Sequence, residues 1–173
     1  MYRIKMLAIT TLATLCIGVA GATTGAMAQG ISKIAKNKLI GSWTLVAINN
    51  KSPDGKTVQT FSSNDGILIF NANGTYIQAL IRSDLPKFAS NNRNTGSADE
   101  NKAVVQGSLA IYGTYKINND GTLTLHMERS TFPNWNSGDQ KRIVTALTTS
   151  EMKFQIPAPS VGGVSEAVWK RVK

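Results

Sequence analysis

The side chains of this sequence that could take part in chemistry are few, and one of them stands alone. His126 is the only histidine, and Glu128 follows it in the same alternating segment. A histidine beside a carboxylate can act as a general base, because its pKa lies near neutral pH. In a strand these two residues share one face. They are candidate catalytic residues if that face points inward, and ordinary surface residues if it points to solvent.

Other side chains are suited to holding a molecule rather than reacting with it. Tyr76 and Arg82 share one face of an alternating segment, and Tyr112 lies on a face of the next one. Trp135 follows a proline in a loop, where a large aromatic ring can close a cavity or grip a ligand. Tyrosine and arginine can hydrogen-bond the polar end of an apolar molecule. The candidate ligand-binding residues are Tyr76, Arg82, Tyr112, His126, Trp135 and Arg142.

The sequence lacks the motifs of several other classes of site. It contains no glycine-rich phosphate loop, no dinucleotide fingerprint and no cluster of His, Asp and Glu at metal-ligand spacing. The single cysteine, Cys16, lies in an apolar run near the N-terminus. We therefore expect no metal site, no cofactor and no disulfide in the mature protein.

The charge balance favours anionic partners only in a general way. The formal net charge is +9, with 19 lysines and arginines against 10 acidic residues. The basic residues are spread along the chain and lack the aromatic stacking platform that accompanies many nucleic-acid-binding surfaces. The sequence therefore predicts a solvated basic surface and no nucleic-acid partner.

The segment 1–28 has the organisation of a cleavable signal peptide. A positively charged start is followed at residues 6–20 by an uncharged apolar run, which is short for a membrane span. The segment ends at residues 26–28 in Ala-Met-Ala, a small-x-small pattern that signal peptidase accepts. We expect cleavage before Gln29 and loss of Cys16 with the leader. The mature protein is then periplasmic or secreted, without stable membrane insertion.

The rest of the chain is a series of short alternating segments rich in β-branched and aromatic residues. Eight strands are predicted, at about 39–49, 66–71, 74–83, 108–117, 121–130, 139–147, 150–156 and 163–172. Turn signals such as the one at residues 71–74 make neighbouring strands antiparallel. The long connection 84–107 carries a helix-capping pattern at residues 97–100, so one short helix is expected there.

These elements predict an all-β, eight-stranded antiparallel up-and-down barrel, because closure removes the exposed edges of such a sheet. A two-sheet sandwich is the alternative. The interior of an eight-stranded barrel is either filled by side chains or holds one small molecule. We divide the chain into a signal peptide at 1–28, an N-terminal segment at 29–38 that could plug one barrel end, and a barrel domain at 39–173.

Several segments also match, in order, the pattern of a known family. They are Gly41-Ser42-Trp43, Gly66-Ile67-Leu68-Ile69-Phe70, Tyr112-Gly113-Thr114-Tyr115, Phe132-Pro133-Asn134-Trp135, Asp139-Gln140-Lys141-Arg142 and Val168-Trp169-Lys170-Arg171-Val172. On these residues the chain resembles the lipocalin-like domain proteins of bacteria and fungi, a calycin-type family. The resemblance implies a lipocalin-like eight-stranded barrel whose base is closed by the packing of Arg171 on Trp43.

The resemblance further implies a ligand of the calycin kind, a small hydrophobic or amphipathic molecule held inside the barrel. The residues themselves leave two alternatives open. One is a cofactor-free isomerase, cyclase or hydrolase that uses His126 as its base. The other is an envelope interaction protein with a side-chain-filled barrel. The leading hypothesis is an exported, monomeric protein that binds a small molecule rather than an enzyme.

Overall fold

Alternating apolar residues form the strands of this protein, and several of the turns between them depend on glycines with positive φ. In residues 33–173, the part of the chain that the computed structural model describes, there are nine strands and two α-helices. The strands, β1 to β9, are Gly41–Lys51, Thr57–Phe61, Gly66–Phe70, Thr75–Ile81, Ser108–Ile117, Thr122–Ser130, Gly138–Leu147, Glu151–Ile156 and Val164–Arg171. The α-helices are α1, Lys36–Leu39, and α2, Ala98–Gly107, and a 3₁₀ helix spans Pro133–Trp135. The predicted signal peptide, with Cys16 and the cleavage site, lies outside the described residues.

The strands form one closed antiparallel sheet. From β3 to β9 each strand pairs with the next, and β1 pairs with β9 to complete the circle. On the other edge of β1, residues 41–44 pair with β3 and residues 48–51 pair with β2, so β2 and β3 share one position. The barrel therefore has eight strand positions. The predicted eight-stranded antiparallel barrel is confirmed, with the short helix α2 in the 84–107 connection.

Strand β2 is the element that the sequence pattern does not predict. Its residues Thr57, Val58 and Gln59 are exposed, and only its last two residues are partly buried. The segment therefore lacks the apolar alternation that identifies a half-buried strand. Its pairing with the end of β1 brings it to the rim of the barrel.

Inward side chains fill the half of the barrel in which β1 begins. The largest fully buried side chains include Trp43, Trp169 and Phe154, and the last two stack with their ring centroids 6.3 Å apart. Helix α1 covers this end with Leu39, which is also fully buried. The carbonyl oxygen of Leu39 accepts a hydrogen bond from Nε1 of Trp43 at 3.0 Å. This end of the barrel is therefore closed.

Arg171 completes the closed end by packing on Trp43. Its guanidinium carbon lies 4.1 Å from the centroid of the Trp43 ring, within range of a cation–π attraction. Nη1 donates to the carbonyl oxygen of Ile40 at 2.8 Å, and Nε donates to that of Thr149 at 2.6 Å. Gly41 leaves room for this side chain, since a Cβ at that position would lie 2.5 Å from Nη1 of Arg171. One arginine thus ties the end of β9 to both neighbouring loops.

We predict that Arg171→Met lowers the free energy of unfolding by about 2–3 kcal/mol, because it removes the cation–π contact and the hydrogen bonds of a charged donor. Urea unfolding followed by tryptophan fluorescence measures the change. Lys170→Met is the control, because Lys170 is exposed on the same strand. We expect the control to stay within about 0.5 kcal/mol of wild type. Equal effects of the two substitutions would contradict this account of the closed end.

Candidate functional site

The barrel is not filled at the end opposite Trp43. A cavity of about 260 Å³ lies there, close to the lower limit of the roughly 300–1,000 Å³ usual for small-molecule sites. The apolar residues that line it include Ile48, Leu80, Leu109, Ile111, Trp135 and Ile156. Its polar lining includes Gln78, Arg142 and Ser165, and no acidic residue of the described chain contributes to it. Ten of the eighteen lining residues are apolar and eight are polar or charged, so apolar side chains form the larger part of the wall.

Strand alternation places the polar groups of this cavity. In β4 the side chains of Tyr76, Gln78 and Leu80 are buried inside the barrel, while Ile77 and Ile81 between and beyond them are exposed. In β7, Arg142 and Val144 are buried, whereas Lys141 is exposed. In β9, Ser165 is buried and its hydroxyl donates to Oδ1 of Asn50 at 2.9 Å. Gln78, Arg142 and Ser165 therefore each lie in a strand of the barrel.

Arg142 is the charged group of the cavity. The residue is only 2% exposed, and its guanidinium carbon lies 6.0 Å from the centroid of the Phe154 ring. Nη1 donates to Oε1 of Gln140 at 3.0 Å and to the carbonyl oxygen of Lys141 at 3.1 Å, whereas Nε has no hydrogen-bond partner within residues 33–173. Burial lowers the pKa of Arg142 to about 10, so the side chain still carries its charge at neutral pH.

Tyr76 lies inside the barrel, but it is not among the residues that line the cavity. It is 2% exposed, pairs with Phe70 in the neighbouring strand and stands closer to the filled end. Its hydroxyl has no hydrogen-bond partner in the described part of the chain. Burial raises the pKa of Tyr76 to about 12, and the charge of Arg142 acts in the opposite direction. The structure therefore places Tyr76 below the cavity and not at the predicted ligand contact.

Arg82 and Trp135 line the mouth of the cavity. The guanidinium of Arg82 is held by Asp84 in a two-point contact, with Nε 2.8 Å from Oδ1 and Nη2 bonded to Oδ2. This contact raises the pKa of Arg82 and lowers the pKa of Asp84. Trp135 packs edge-on against Phe132, with ring centroids 5.4 Å apart. The charge of Arg82 is thus offset by its own partner, unlike that of Arg142.

His126 and Glu128 lie on the outer face of the barrel. The side chain of His126 is 45% exposed, and its Nδ1 lies 2.7 Å from Oδ1 of Asp139 on the adjacent strand. Glu128 is exposed as well. The inward positions of β6 are occupied by its apolar residues Leu123, Leu125 and Met127. The prediction that His126 lines the cavity as a base is therefore wrong, because the apolar face of this strand packs in the core.

Tyr112 is also outside the barrel, with 48% of its surface exposed. It pairs with Ile77 of β4, whose side chain is exposed on the same outer face. The cavity is lined instead by Leu109 and Ile111 from the opposite face of β5. The prediction that Tyr112 contacts the ligand is therefore wrong. The signal that could have identified Leu109 and Ile111 is their place on the apolar face of an alternating strand.

Two further features of residues 33–173 bear on function. Nowhere in this range do three or more His, Cys, Asp or Glu side chains come together as metal ligands would. Within the same range no helix combines the length and the apolar character needed to cross a bilayer.

Comparison with known proteins gave one family match and several matches to solved β-barrel structures. A family model described as a lipocalin-like domain matches residues 40–172. Among solved structures, a lipocalin-like protein from Bacteroides uniformis is 13% identical, with a TM-score of 0.45, over 78% of this chain and 99% of that one. A redesigned β-barrel is 15% identical, with a TM-score of 0.41, over 79% and 94% of the two chains. A fluorescence-activating barrel designed de novo is 11% identical, with a TM-score of 0.42, over 79% and 95%.

A search of curated proteins gave no match.

We predict that Tyr76→Phe stabilises the protein at high pH. The pKa of Tyr76 in the folded protein, about 12, lies above the ordinary value of 10.0. Its contribution to stability is thus complete below pH 10 and is lost as the pH rises toward 12, because the unfolded chain releases the proton first. Relative to wild type, the variant should gain about 1.3 kcal/mol between pH 9 and pH 11.

Urea unfolding at the two pH values measures this gain. Tyr112→Phe is the matched control, since Tyr112 lies on the outer face and is half exposed. The control should show the same pH dependence as wild type. A Tyr76→Phe variant with the wild-type pH dependence would contradict the burial of the Tyr76 hydroxyl.

Proposed function

Because the chain belongs to the lipocalin-like domain family, we propose that it binds a small hydrophobic or amphipathic molecule inside its barrel. The observation that carries the proposal is the cavity of about 260 Å³ at one end of a barrel whose other end is closed. The wall offers apolar contact, and the few polar groups near the floor can orient the polar end of a ligand.

The form of the cavity supports one bound molecule of modest size. Leu80, Leu109 and Ile111 come from adjacent strands and form a continuous apolar wall. Burial of each methylene of a ligand against such a wall contributes about 0.8 kcal/mol. Trp135 stands on the 3₁₀ helix at the mouth, where its ring can cover the ligand's outer end. A chain of about ten carbons is therefore a suitable probe.

The alternative functions have less support. A reaction with His126 as base requires its ring beside the ligand, and that ring lies on the outer face in contact with Asp139. A side-chain-filled barrel, expected of an envelope interaction protein, does not agree with the cavity. We therefore favour a monomeric binding protein without a chemical step.

We predict that the protein binds 1-decanol in a 1:1 complex and that Leu109→Trp weakens this binding at least tenfold by filling the cavity. Isothermal titration calorimetry measures the affinity. Ala110→Trp is the matched control, because Ala110 is the next residue of β5 and is exposed. In wild type, lengthening the alcohol from eight to ten carbons should tighten binding about fourfold per methylene. Binding that survives Leu109→Trp in a folded variant would contradict a ligand site in the barrel.

We also propose that the protein is exported and acts outside the cytoplasm. The support is the charged start, apolar run and small-x-small end of residues 1–28. Expression of the full chain in a bacterial host, followed by fractionation and N-terminal sequencing, tests the proposal. We expect a periplasmic or secreted protein that begins at Gln29. A protein that keeps its N-terminal segment and remains in the cytoplasm would contradict it.

A further inference from the structure

Arg142 places a positive charge where charges are costly. The residue is 2% exposed and lines the floor of an apolar cavity. A charge buried in a protein interior is unfavourable unless an opposite charge or several hydrogen bonds compensate it. Natural proteins rarely bury an arginine completely without a partner. The groups around Arg142 therefore show whether its charge is compensated within the protein.

No acidic residue within 33–173 neutralises Arg142. The ion pairs among the described residues join Arg82 to Asp84, His126 to Asp139, Lys141 to Asp120 and Lys153 to Glu151. Arg142 belongs to none of them, and no acidic residue of the described chain lines the cavity. Its own contacts are to neutral groups, namely a glutamine oxygen, a carbonyl oxygen and an aromatic ring. The floor of the cavity thus carries a positive charge that no described residue compensates.

The guanidinium also keeps hydrogen-bonding capacity. Both of its hydrogen bonds to described residues leave from Nη1, and Nε has no partner among those residues. An arginine can offer two parallel N–H groups to one carboxylate, which is among the stronger hydrogen-bonded contacts in proteins. The side chain of Gln78, which carries a further amide donor, lines the same cavity. The donors available near the floor therefore suit an acceptor that bears a negative charge.

Arg82, the other arginine of the cavity, differs from Arg142 because its charge is paired. It lines the same cavity, but Asp84 already occupies its guanidinium and both side chains are largely exposed. A ligand gains little from a charge that is paired and in contact with water. The two arginines therefore divide the cavity into a neutralised mouth and a positively charged floor.

We infer that the ligand of the proposed binding site is an amphipathic anion whose carboxylate pairs with Arg142, with its apolar tail extending past Leu80 and Ile111 toward the mouth. The inference rests on the proposed function and specifies the chemical class of its ligand. It assigns Arg142 to ligand recognition rather than to support of the fold.

The test compares three probes with unbranched apolar tails of similar length and different head groups: decanoate, 1-decanol and decyltrimethylammonium. At pH 7.5, calorimetry with the purified protein should show decanoate binding about 10- to 100-fold more tightly than 1-decanol. Decyltrimethylammonium should bind more weakly than the alcohol, because its charge repeats that of Arg142. Inorganic phosphate is included as an anion without a tail, and we expect no measurable competition from it.

Two variants connect the preference to Arg142. Arg142→Met keeps an unbranched, shorter side chain and removes the charge, so decanoate and 1-decanol should then bind with similar affinity. Arg129→Met makes the same substitution on an exposed residue outside the cavity, and it should keep the wild-type preference. Thermal unfolding serves as the folding control. Arg142→Met should melt at the wild-type temperature or above it, because it removes a buried charge.

The possible outcomes distinguish a failure of the anionic ligand from a failure of small-molecule binding itself. If 1-decanol binds in the cavity and decanoate binds no more tightly, the anionic ligand is excluded while the binding function stands. The same conclusion follows if Arg142→Met keeps the preference for decanoate. If none of the three probes binds, the proposed function fails and the inference fails with it. If phosphate displaces decanoate at equal concentration, the site recognises a free anion and the amphipathic ligand is excluded.

Discussion

The pairing of β1 with β9 is the constraint on which the rest of the structure depends. It closes the sheet, so every second side chain of each strand is enclosed in the interior and must be compatible with its neighbours. At one end these side chains are large and fill the space, with Trp43 and Trp169 among them. At the other end they are Leu80, Leu109, Ile111 and similar residues, which leave a cavity. The packed end and the cavity thus both result from the pairing of β1 with β9, because the enclosed side chains differ in size between the two ends.

Arg142 is enclosed by the same closure. In an open sheet a long arginine side chain can extend to water, but an inward position in a barrel leaves it beside Phe154 and the apolar wall. Its hydrogen-bond partners among residues 33–173 are a glutamine oxygen and a carbonyl oxygen rather than a carboxylate. A local arrangement that disfavours the folded state is typical of functional sites. We interpret the buried guanidinium as a group whose charge is compensated when an anionic ligand binds.

Much of the fold follows from the sequence, because alternation and turn residues act locally. Alternation in segments such as 121–130 predicts the strands, and turns such as Asn-Asn-Asp-Gly at residues 118–121 predict the antiparallel order. Alternation does not predict strand β2, because its residues Thr57 and Val58 are exposed and it is held by pairing with β1. The stacking of Arg171 on Trp43 joins residues from both ends of the domain, and it follows only from the family resemblance.

The site was harder to predict than the fold, because alternation divides a strand into two faces without stating which one is enclosed. The chemistry of His126 and Tyr112 predicts a place in the cavity, whereas the apolar residues beside them occupy the inward positions. Arg82 and Arg142 are both arginines, so the sequence does not distinguish them. Only the structure shows that Asp84 neutralises Arg82.

A crystal structure of the protein with bound decanoate tests the central claim most directly. The account predicts a carboxylate oxygen about 2.7–2.9 Å from a guanidinium nitrogen of Arg142, with the alkyl chain against the apolar wall. A decanoate that binds outside the barrel, or that directs its carboxylate to the mouth and its methyl end to Arg142, would contradict it.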